Sequence, residues 1–168
     1  MKLSKCIRIL MVLALAISST SVIGKGSNPH PRPFWGTFEG VATFAINGAC
    51  DYIGTPFQTV TESGGQMTHM GRATLSTSHC ATNEGAFAVD GLAYFTAANG
   101  DQVIAAYTAA TVAPPPPLIV QSIDLVIVGG TGRFENASGS LQGMVYIEFL
   151  PAEQEWPLKF VFAGWIVY

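Results

Sequence analysis

Residues 123–143 read IDLVIVGGTGRFENASGSLQG, and this stretch decides between two folds. An apolar strand followed by Gly129, Gly130 and Gly132 is typical of the turn that precedes a phosphate-binding helix in a dinucleotide-binding domain. The same glycines also suit a tight corner between two antiparallel strands. Only the nucleotide-binding fold requires a helix after the corner, so the residues that follow distinguish the two interpretations.

The segment after the corner has the periodicity of a strand. Apolar residues and one glycine occupy every second position from Leu141 to Phe149, whereas an amphipathic helix would repeat them every three or four positions. Residues 133–168 are also too few for several further βαβ units, which need about 30 residues each. We therefore interpret the glycines as a strand-to-strand corner, beside which Phe134 caps the core.

The chain before this corner repeats the strand pattern. Runs of about ten residues rich in β-branched and aromatic side chains alternate with turn residues, and helical spacing is nearly absent after residue 24. This pattern predicts one all-β domain with eight strands, at residues 37–46, 52–62, 67–78, 86–97, 102–112, 118–128, 139–149 and 158–168. Eight meandering strands favour a closed antiparallel β-barrel over a sandwich, because closure removes exposed edges.

Two connections and the last strand carry further expectations. Asn99-Gly100 predicts a type I′ hairpin turn, and the proline run in residues 113–118 predicts a stiff surface link. The last strand, residues 158–168, is apolar on both faces. Its outer face therefore needs cover, either from another subunit of a dimer or trimer or from the N-terminal segment PRPFWG, residues 31–36.

The first 24 residues predict a secretory signal peptide. Lys2, Lys5 and Arg8 precede an apolar run at residues 9–17, and small residues follow it. That run is shorter than the roughly 20 apolar residues of a membrane-spanning helix, and no later run reaches this length. We expect a β-barrel domain of residues 25–168 that is secreted or periplasmic and has no membrane span.

Charge and cysteine content restrict the partners and the chemistry. Removing three of the eight basic residues with the signal peptide leaves five against eleven acidic ones, a formal charge of 5 − 11 = −6, which disfavours nucleic acid. In an exported chain, Cys50 and Cys80 predict a disulfide, with two buried free thiols as the alternative. His69, His79 and Cys80 lack the spacing of a metal site, so we expect neither a metal nor a cofactor.

The corner also carries a family resemblance. GGTGRFENASGS is similar to the GGTG-x-F-x-x-A-x-G signature of dirigent proteins and allene oxide cyclases, and residues 68–76 and 95–109 resemble bacterial relatives of those barrels. The matching positions are Gly129, Gly130, Thr131, Gly132, Phe134, Ala137 and Gly139. The resemblance implies an eight-stranded barrel, often trimeric, with a lumen for small hydrophobic molecules. Residues 33–46 replace the YMHD-like opening of plant dirigent proteins, so no catalytic residue is transferred.

Strand parity suggests which polar residues enter the lumen. His69 alternates with Met67, Ala73 and Leu75, so it is a weak candidate for catalysis and, with Leu75 and Phe134, a candidate ligand contact; a structural role for this histidine is the alternative. The remaining polar candidates belong to the outer face by parity. They are Glu39, Asp124, Tyr146 and Glu148, with Arg72 in an exposed salt bridge. A locally inverted barrel would instead pair Glu148 with Tyr146 as an acid and a hydrogen-bond donor.

Three functions are compatible with this pattern. The first, which we favour, is binding of a small hydrophobic molecule in the lumen, because binding requires fewer oriented polar groups than catalysis. The second is a cyclase or stereochemistry-guiding enzyme that shapes a flexible substrate in the same lumen. The third is an interaction protein with a packed barrel. Asn136 fits the glycan acceptor pattern, which applies only in a eukaryotic secretory pathway.

Overall fold

The structure is a computed structural model that describes residues 30–46, 48–55, 57–82, 86–113 and 117–168. The predicted signal peptide and its cleavage site lie outside these residues. Described helical structure consists of two short 3-10 helices, Asp51–Ile53 and Gly132–Phe134. The described residues include no helix with the length and apolarity needed to cross a membrane.

The described chain forms a closed antiparallel barrel of eight strands, as predicted. The strands are β1 Arg32–Ile46, β2 Phe57–Met67, β3 Gly71–Thr82, β4 Phe87–Ala97, β5 Gln102–Ala113, β6 Leu118–Gly130, β7 Ser138–Glu148 and β8 Glu155–Val167. Each strand pairs with its sequence neighbours, and β8 closes the sheet on β1. Closure pairs both edges of every described strand, so strands with few charged residues present no free edge for aggregation.

Period-two alternation places one face of each strand in the lumen. In β8, Phe160, Phe162 and Ile166 are at most 3% exposed, whereas Val161 and Trp165 between them are 38% and 44% exposed. The outer face of this strand therefore stays accessible in the single chain. The segment PRPFWG does not cover it, because Pro33 and Trp35 belong to β1 and pair with β8 edge to edge.

The glycine corner joins β6 to β7 as the strand-to-strand interpretation predicts. Strand β6 ends at Gly130, the 3-10 helix Gly132–Phe134 follows, and β7 returns antiparallel to β6. A Cβ on Gly130 would overlap the carbonyl oxygen of Gln102, so the close approach of this corner to β5 requires glycine. No phosphate-binding helix follows within the described residues.

The first third of the barrel differs from the predicted boundaries. Strand β1 begins at Arg32 instead of residue 37. The second strand, expected at residues 52–62, spans Phe57–Met67, because the start of that range forms the 3-10 helix Asp51–Ile53. The third, expected at residues 67–78, spans Gly71–Thr82. Period-two alternation identified these strands but not their ends, since polar turn residues continue the same alternation.

The hairpin between β4 and β5 is present, but its turn is not type I′. Gly100 has a φ of 89°, whereas the positive-φ non-glycine residues are His69 and Asp90 and do not include Asn99. The amide of Gly100 donates to the carbonyl of Ala97 at 2.9 Å, and the amide of Ala97 donates to the carbonyl of Asp101 at 2.9 Å. Only the glycine therefore takes the left-handed conformation, and the loop between Ala97 and Asp101 has three residues instead of the two of a type I′ turn.

Cys50 and Cys80 form the predicted disulfide. Their Cα atoms lie 5.6 Å apart, and the bond joins the segment after β1 to the end of β3. The Tyr52 hydroxyl donates a hydrogen bond to Asp90, and its oxygen lies 3.8 Å from the Cys80 sulfur. The disulfide thus ties the segment between β1 and β2 to β3, and the Tyr52–Asp90 hydrogen bond ties it to the bulge of β4.

Candidate functional site

Inward-facing side chains divide the lumen into two halves. The half beside the glycine corner, which we call the aromatic half, contains Phe34, Phe38, Phe95 and Phe162, each at most 2% exposed. Ring centroids of Phe95 lie 5.7 Å from Phe38 and 5.6 Å from Phe162 in tilted and edge-to-face arrangements. Such contacts are typical of a packed protein core. This half of the lumen is therefore filled by side chains.

The opposite half, which we call the polar half, has a different composition. Small residues occupy many of its inward positions, including Ala42, Ala88 and Ala109. Its polar inward side chains are Thr59, Thr61, Thr77, His79, Tyr107 and Gln121. Buried Val145 and Leu158 share this half, and its hydroxyl, imidazole and amide groups can orient an occupant.

Apolar side chains surround the end of the polar half. On β1, inward positions change from buried Phe34 and Phe38 to Phe44 and Ile46, which are 41% and 74% exposed. On β2, inward Phe57 is 44% exposed. The Trp156 ring lies 4.3 Å from Phe44 and 4.6 Å from Phe149, centroid to centroid. We call this rim of Phe44, Ile46, Phe57, Phe149 and Trp156 the mouth, because its apolar side chains are accessible at inward positions.

A histidine and a tyrosine meet inside the polar half. Nδ1 of His79 lies 2.8 Å from the Tyr107 hydroxyl oxygen, and their ring centroids are 5.8 Å apart. Burial lowers the pKa of His79 to about 4, because a charged imidazole loses its hydration there. Burial also raises the pKa of Tyr107. Both groups are therefore uncharged at neutral pH and can exchange a hydrogen bond with a ligand.

Threonine hydroxyls extend this pair across the lumen. The Thr77 hydroxyl interacts with Tyr107, and the hydrogen bond lowers the tyrosine pKa against the larger effect of burial. The Thr61 and Thr77 hydroxyl oxygens are 2.7 Å apart. The four groups form a continuous chain from β2 through β3 to β5 that fixes the orientation of Tyr107.

Two buried polar atoms in the polar half lack a partner. The Thr59 hydroxyl, on a residue only 5% exposed, and the Trp156 indole N–H have no hydrogen-bond partner among the described residues. Thr59 pairs with Phe44 on one side and with His79 on the other, so it lies between the mouth and the His79–Tyr107 pair. Buried polar groups are normally hydrogen-bonded, and an orphaned one requires a functional explanation.

Local irregularities in the sheet create the pair. A β-bulge interrupts the β3–β4 register between Ser78 and Cys80, and another shifts the β4–β5 register between Ala88 and Gly91. A Cβ on Gly91 would lie 2.6 Å from the Tyr107 ring. Glycine at this position therefore allows the tyrosine to lie across β4 and reach His79 on the strand beyond.

His69 does not occupy the position that the sequence predicted. It lies in the turn between β2 and β3 with a φ of 65°, and its side chain is exposed. Nε2 lies 3.0 Å from the carbonyl oxygen of Pro33, and the ring stacks on Phe34 with centroids 6.4 Å apart. Histidine therefore covers the outside of the aromatic half and faces away from the polar half. The wrong strand boundary at residues 67–70 caused this error.

Leu75 and Phe134 are buried, but in the aromatic half. Both are 0% exposed, and the Phe134 ring lies 4.8 Å from the Tyr168 ring, which closes the barrel beside the glycine corner. The expectation that Phe134 caps the core is confirmed. Ligand contacts of Leu75 and Phe134 remain predictions. Both residues lie in the filled aromatic half and do not belong to the mouth.

The carboxylates follow the predicted parity. Asp124 and Glu148 are exposed, and Glu39 is exposed with a carboxylate oxygen 2.9 Å from the Lys159 ammonium. Tyr146 is 38% exposed on the outer face, so the alternative of a locally inverted barrel with a Glu148–Tyr146 pair is wrong. Arg72 is also exposed.

The sequence interpretation missed the polar pair. It weighed His79 only as a metal ligand beside His69 and Cys80, and it did not single out Tyr107. In the described ranges, no three metal-ligating side chains come together. The signal for Tyr107 was present, because it is the large residue in an otherwise small inward series of Ala105 and Ala109 on β5. The signal for His79 was also present, because it continues the inward alternation of Ala73, Leu75 and Thr77, but the predicted strand ended at residue 78.

A solvent-open cleft of about 280 Å³ lies where β4, β5 and β6 adjoin. Outer-face residues Thr108, Ser122 and Asp124 line it together with the inward-facing Ala88 and Ala109. We place the candidate site in the polar half of the lumen instead. There, an unpaired buried hydroxyl, a buried phenol bonded to a part-buried imidazole and an apolar mouth occur together.

Comparison with family models, curated proteins and solved structures finds no match for this chain. The resemblance to allene oxide cyclases and dirigent proteins therefore stays a prediction. The structure defines the class of protein, a small closed β-barrel with a disulfide.

Proposed function

We propose that the barrel binds a small, largely apolar molecule in the polar half of its lumen. One observation carries this proposal. Buried inward side chains fill one half of the lumen, whereas the other half ends in an apolar mouth beside an unpaired buried hydroxyl. A barrel selected only for stability would pack both halves alike. The ligand's apolar part would contact the mouth, and its polar group would reach His79, Tyr107 and Thr59.

A lumen-filling variant tests this proposal. Ala42 is 1% exposed at an inward position of β1, so Ala42→Leu places extra side chain in the polar half. We expect it to weaken binding of the neutral apolar probe N-phenyl-1-naphthylamine at least about tenfold. Ala163→Leu adds the same atoms on the exposed outer face of β8 and is the matched control. Both variants are first compared with the parent by thermal unfolding.

The binding measurements distinguish a ligand site in the lumen from a site elsewhere and from an interaction protein. Loss of binding in Ala42→Leu but not in Ala163→Leu supports the lumen site. Equal binding by the parent and Ala42→Leu would contradict it, because the probe would then bind elsewhere. Native mass spectrometry of protein recovered from its source would show a co-purifying ligand. A parent protein that binds no apolar probe would favour an interaction protein.

Catalysis in the same lumen is the second candidate. The buried His79–Tyr107 pair favours it, because an uncharged imidazole and a phenol held at 2.8 Å can move a proton to or from a bound substrate. A cyclase or stereochemistry-guiding enzyme would need this pair and a shaped cavity. His79→Gln and Tyr107→Phe retain much of the shape, so they would remove turnover and preserve binding if the lumen is catalytic.

The remaining expectations are also proposals. A family relation to allene oxide cyclases and dirigent proteins is supported by the Gly129–Gly139 signature and the closed eight-stranded barrel. Secretion or a periplasmic location is supported by the disulfide, which persists in oxidising compartments. Self-association as a dimer or trimer is supported by the exposed Trp35 and Trp165 on adjacent strands. Sedimentation of the mature chain as a monomer would contradict it.

A further inference from the structure

The charge of the inward side chains in the polar half restricts the chemical class of its ligand. Among the described residues, its inward positions carry no Lys, Arg, Asp or Glu. Described acidic side chains on the strands of this half, such as Glu62 and Glu148, are exposed on the outer face. Its polar atoms are hydroxyls, an imidazole and an amide. The lumen can therefore satisfy hydrogen bonds but offers no charge to pair with an ionised group.

The imidazole does not supply the missing charge. His79 is enclosed between Thr59 on β2, Tyr107 on β5 and the disulfide at Cys80. The carboxylate in the neighbouring β4 bulge, Asp90, is exposed and accepts a hydrogen bond from Tyr52. Burial keeps the pKa of His79 at about 4, so the ring is uncharged near neutral pH. Its Nδ1 is used by Tyr107, which leaves Nε2 to meet a ligand.

From this arrangement we infer that the ligand is an uncharged molecule whose hydroxyl or carbonyl oxygen is inserted towards Thr59, His79 and Tyr107, and that carboxylates and amines are excluded. The inference rests on the proposed lumen-binding function. The physical reason is that burying an ion without a counter-charge costs far more than burying a hydroxyl that makes hydrogen bonds. Thr59, 5% exposed and without a partner, is the group that an inserted oxygen would satisfy first.

Three probes of equal chain length test the inference: decan-1-ol, decanoate and decylammonium. Binding to the full mature barrel near neutral pH is followed by the fluorescence of Trp156 at the mouth, with Trp156→Phe to identify its signal. We expect decan-1-ol to bind at least about tenfold more tightly than either ion. Equal or tighter binding of decanoate or decylammonium would overturn the inference and leave lumen binding intact. If none of the three binds, the proposed function fails and the inference fails with it.

A charge-reversal variant gives an independent test. Thr59→Lys puts a cation at the inward position between the mouth and His79, so it should shift the preference from decan-1-ol to decanoate. Val60→Lys carries the same charge on the outer face of β2 and is the matched control. We expect Val60→Lys to keep the parent's preference for decan-1-ol. If Val60→Lys shifts the preference as much as Thr59→Lys, surface charge controls selectivity and the inference is wrong.

Discussion

The aromatic and polar halves are built from the same eight strands, yet they differ in what their inward positions carry. Along β1, exposure rises from 0% at Phe34 to 1% at Phe38 and 41% at Phe44. Along β5, buried Val103 precedes Ala105 and the hydrogen-bonded Tyr107. One half maximises packing, and the other keeps polar groups and small side chains. The residues that pack the core and the residues of the candidate site therefore lie in different halves along the barrel axis.

This separation has a physical cause. A packed aromatic cluster stabilises the fold without tight requirements on hydrogen bonding, because its contacts are largely non-directional. A polar half needs fixed donors and acceptors, and bulges in β3 and β4 provide their positions. The site therefore depends on a rigid neighbour within the same sheet.

The largest expected effect would come from removing aromatic packing. Phe38→Ala deletes a ring that is 1% exposed, so the free energy of unfolding should fall by about 3–5 kcal/mol. Phe57→Ala, at the 44% exposed mouth, should cost less than about 1 kcal/mol. Urea unfolding measures both. Similar losses for the two variants would show that the halves are equally packed.

Loss of the disulfide should act mainly on the polar half. Replacing Cys50 and Cys80 together by alanine should lower the free energy of unfolding by about 3 kcal/mol. The Cys80 end of β3 adjoins His79, so amide hydrogen exchange should quicken there more than around Phe95. Uniform quickening throughout the barrel would argue against this local effect.

The pH dependence of stability should report the burial of His79. Burial lowers the pKa of His79 in the folded state to about 4, whereas histidine in the unfolded chain has a pKa of about 6.5. The unfolded state thus binds more protons between these values, so stability is complete above about pH 6.5 and falls as the pH decreases towards 4. We expect a loss of about 2–3 kcal/mol over this interval.

His79→Gln isolates this histidine from the carboxylates that titrate in the same range. Urea unfolding at several pH values should give a shallower slope for the variant than for the parent between about pH 4 and 6.5. Identical slopes would show that His79 is solvated in the folded state, and the polar half would then be wetter than its burial indicates.

The smallest expected effect concerns the glycine beneath the tyrosine ring. Gly91→Ala places a Cβ 2.6 Å from Tyr107, which should displace the ring and cost about 1–2 kcal/mol. At Gly64, on the outer face of β2, an added Cβ meets nothing within 4 Å, so Gly64→Ala is the matched control. Chemical shifts of the His79 ring should change only in Gly91→Ala. Unchanged shifts there would mean that Tyr107 does not depend on this gap.

Sequence reasoning reached the fold through local patterns. Alternation identified eight strands, and the segment after Gly132 excluded a helix, because both depend on neighbours within a few residues. The pairing of Cys50 with Cys80 followed from their number and the predicted export. The error at His69 has the same origin, since a polar turn can continue the alternation of the strand beside it.

The sequence by itself determined the all-β class and predicted a closed barrel and one disulfide, because side-chain periodicity and cysteine count are properties of the chain. Only the tertiary structure decided where the candidate site lies. His79 and Tyr107 are 28 residues apart, and they meet because β4 between them has a bulge and a glycine. Register shifts and the space above a glycine arise from strand pairing across the barrel, and no local pattern in either strand records them.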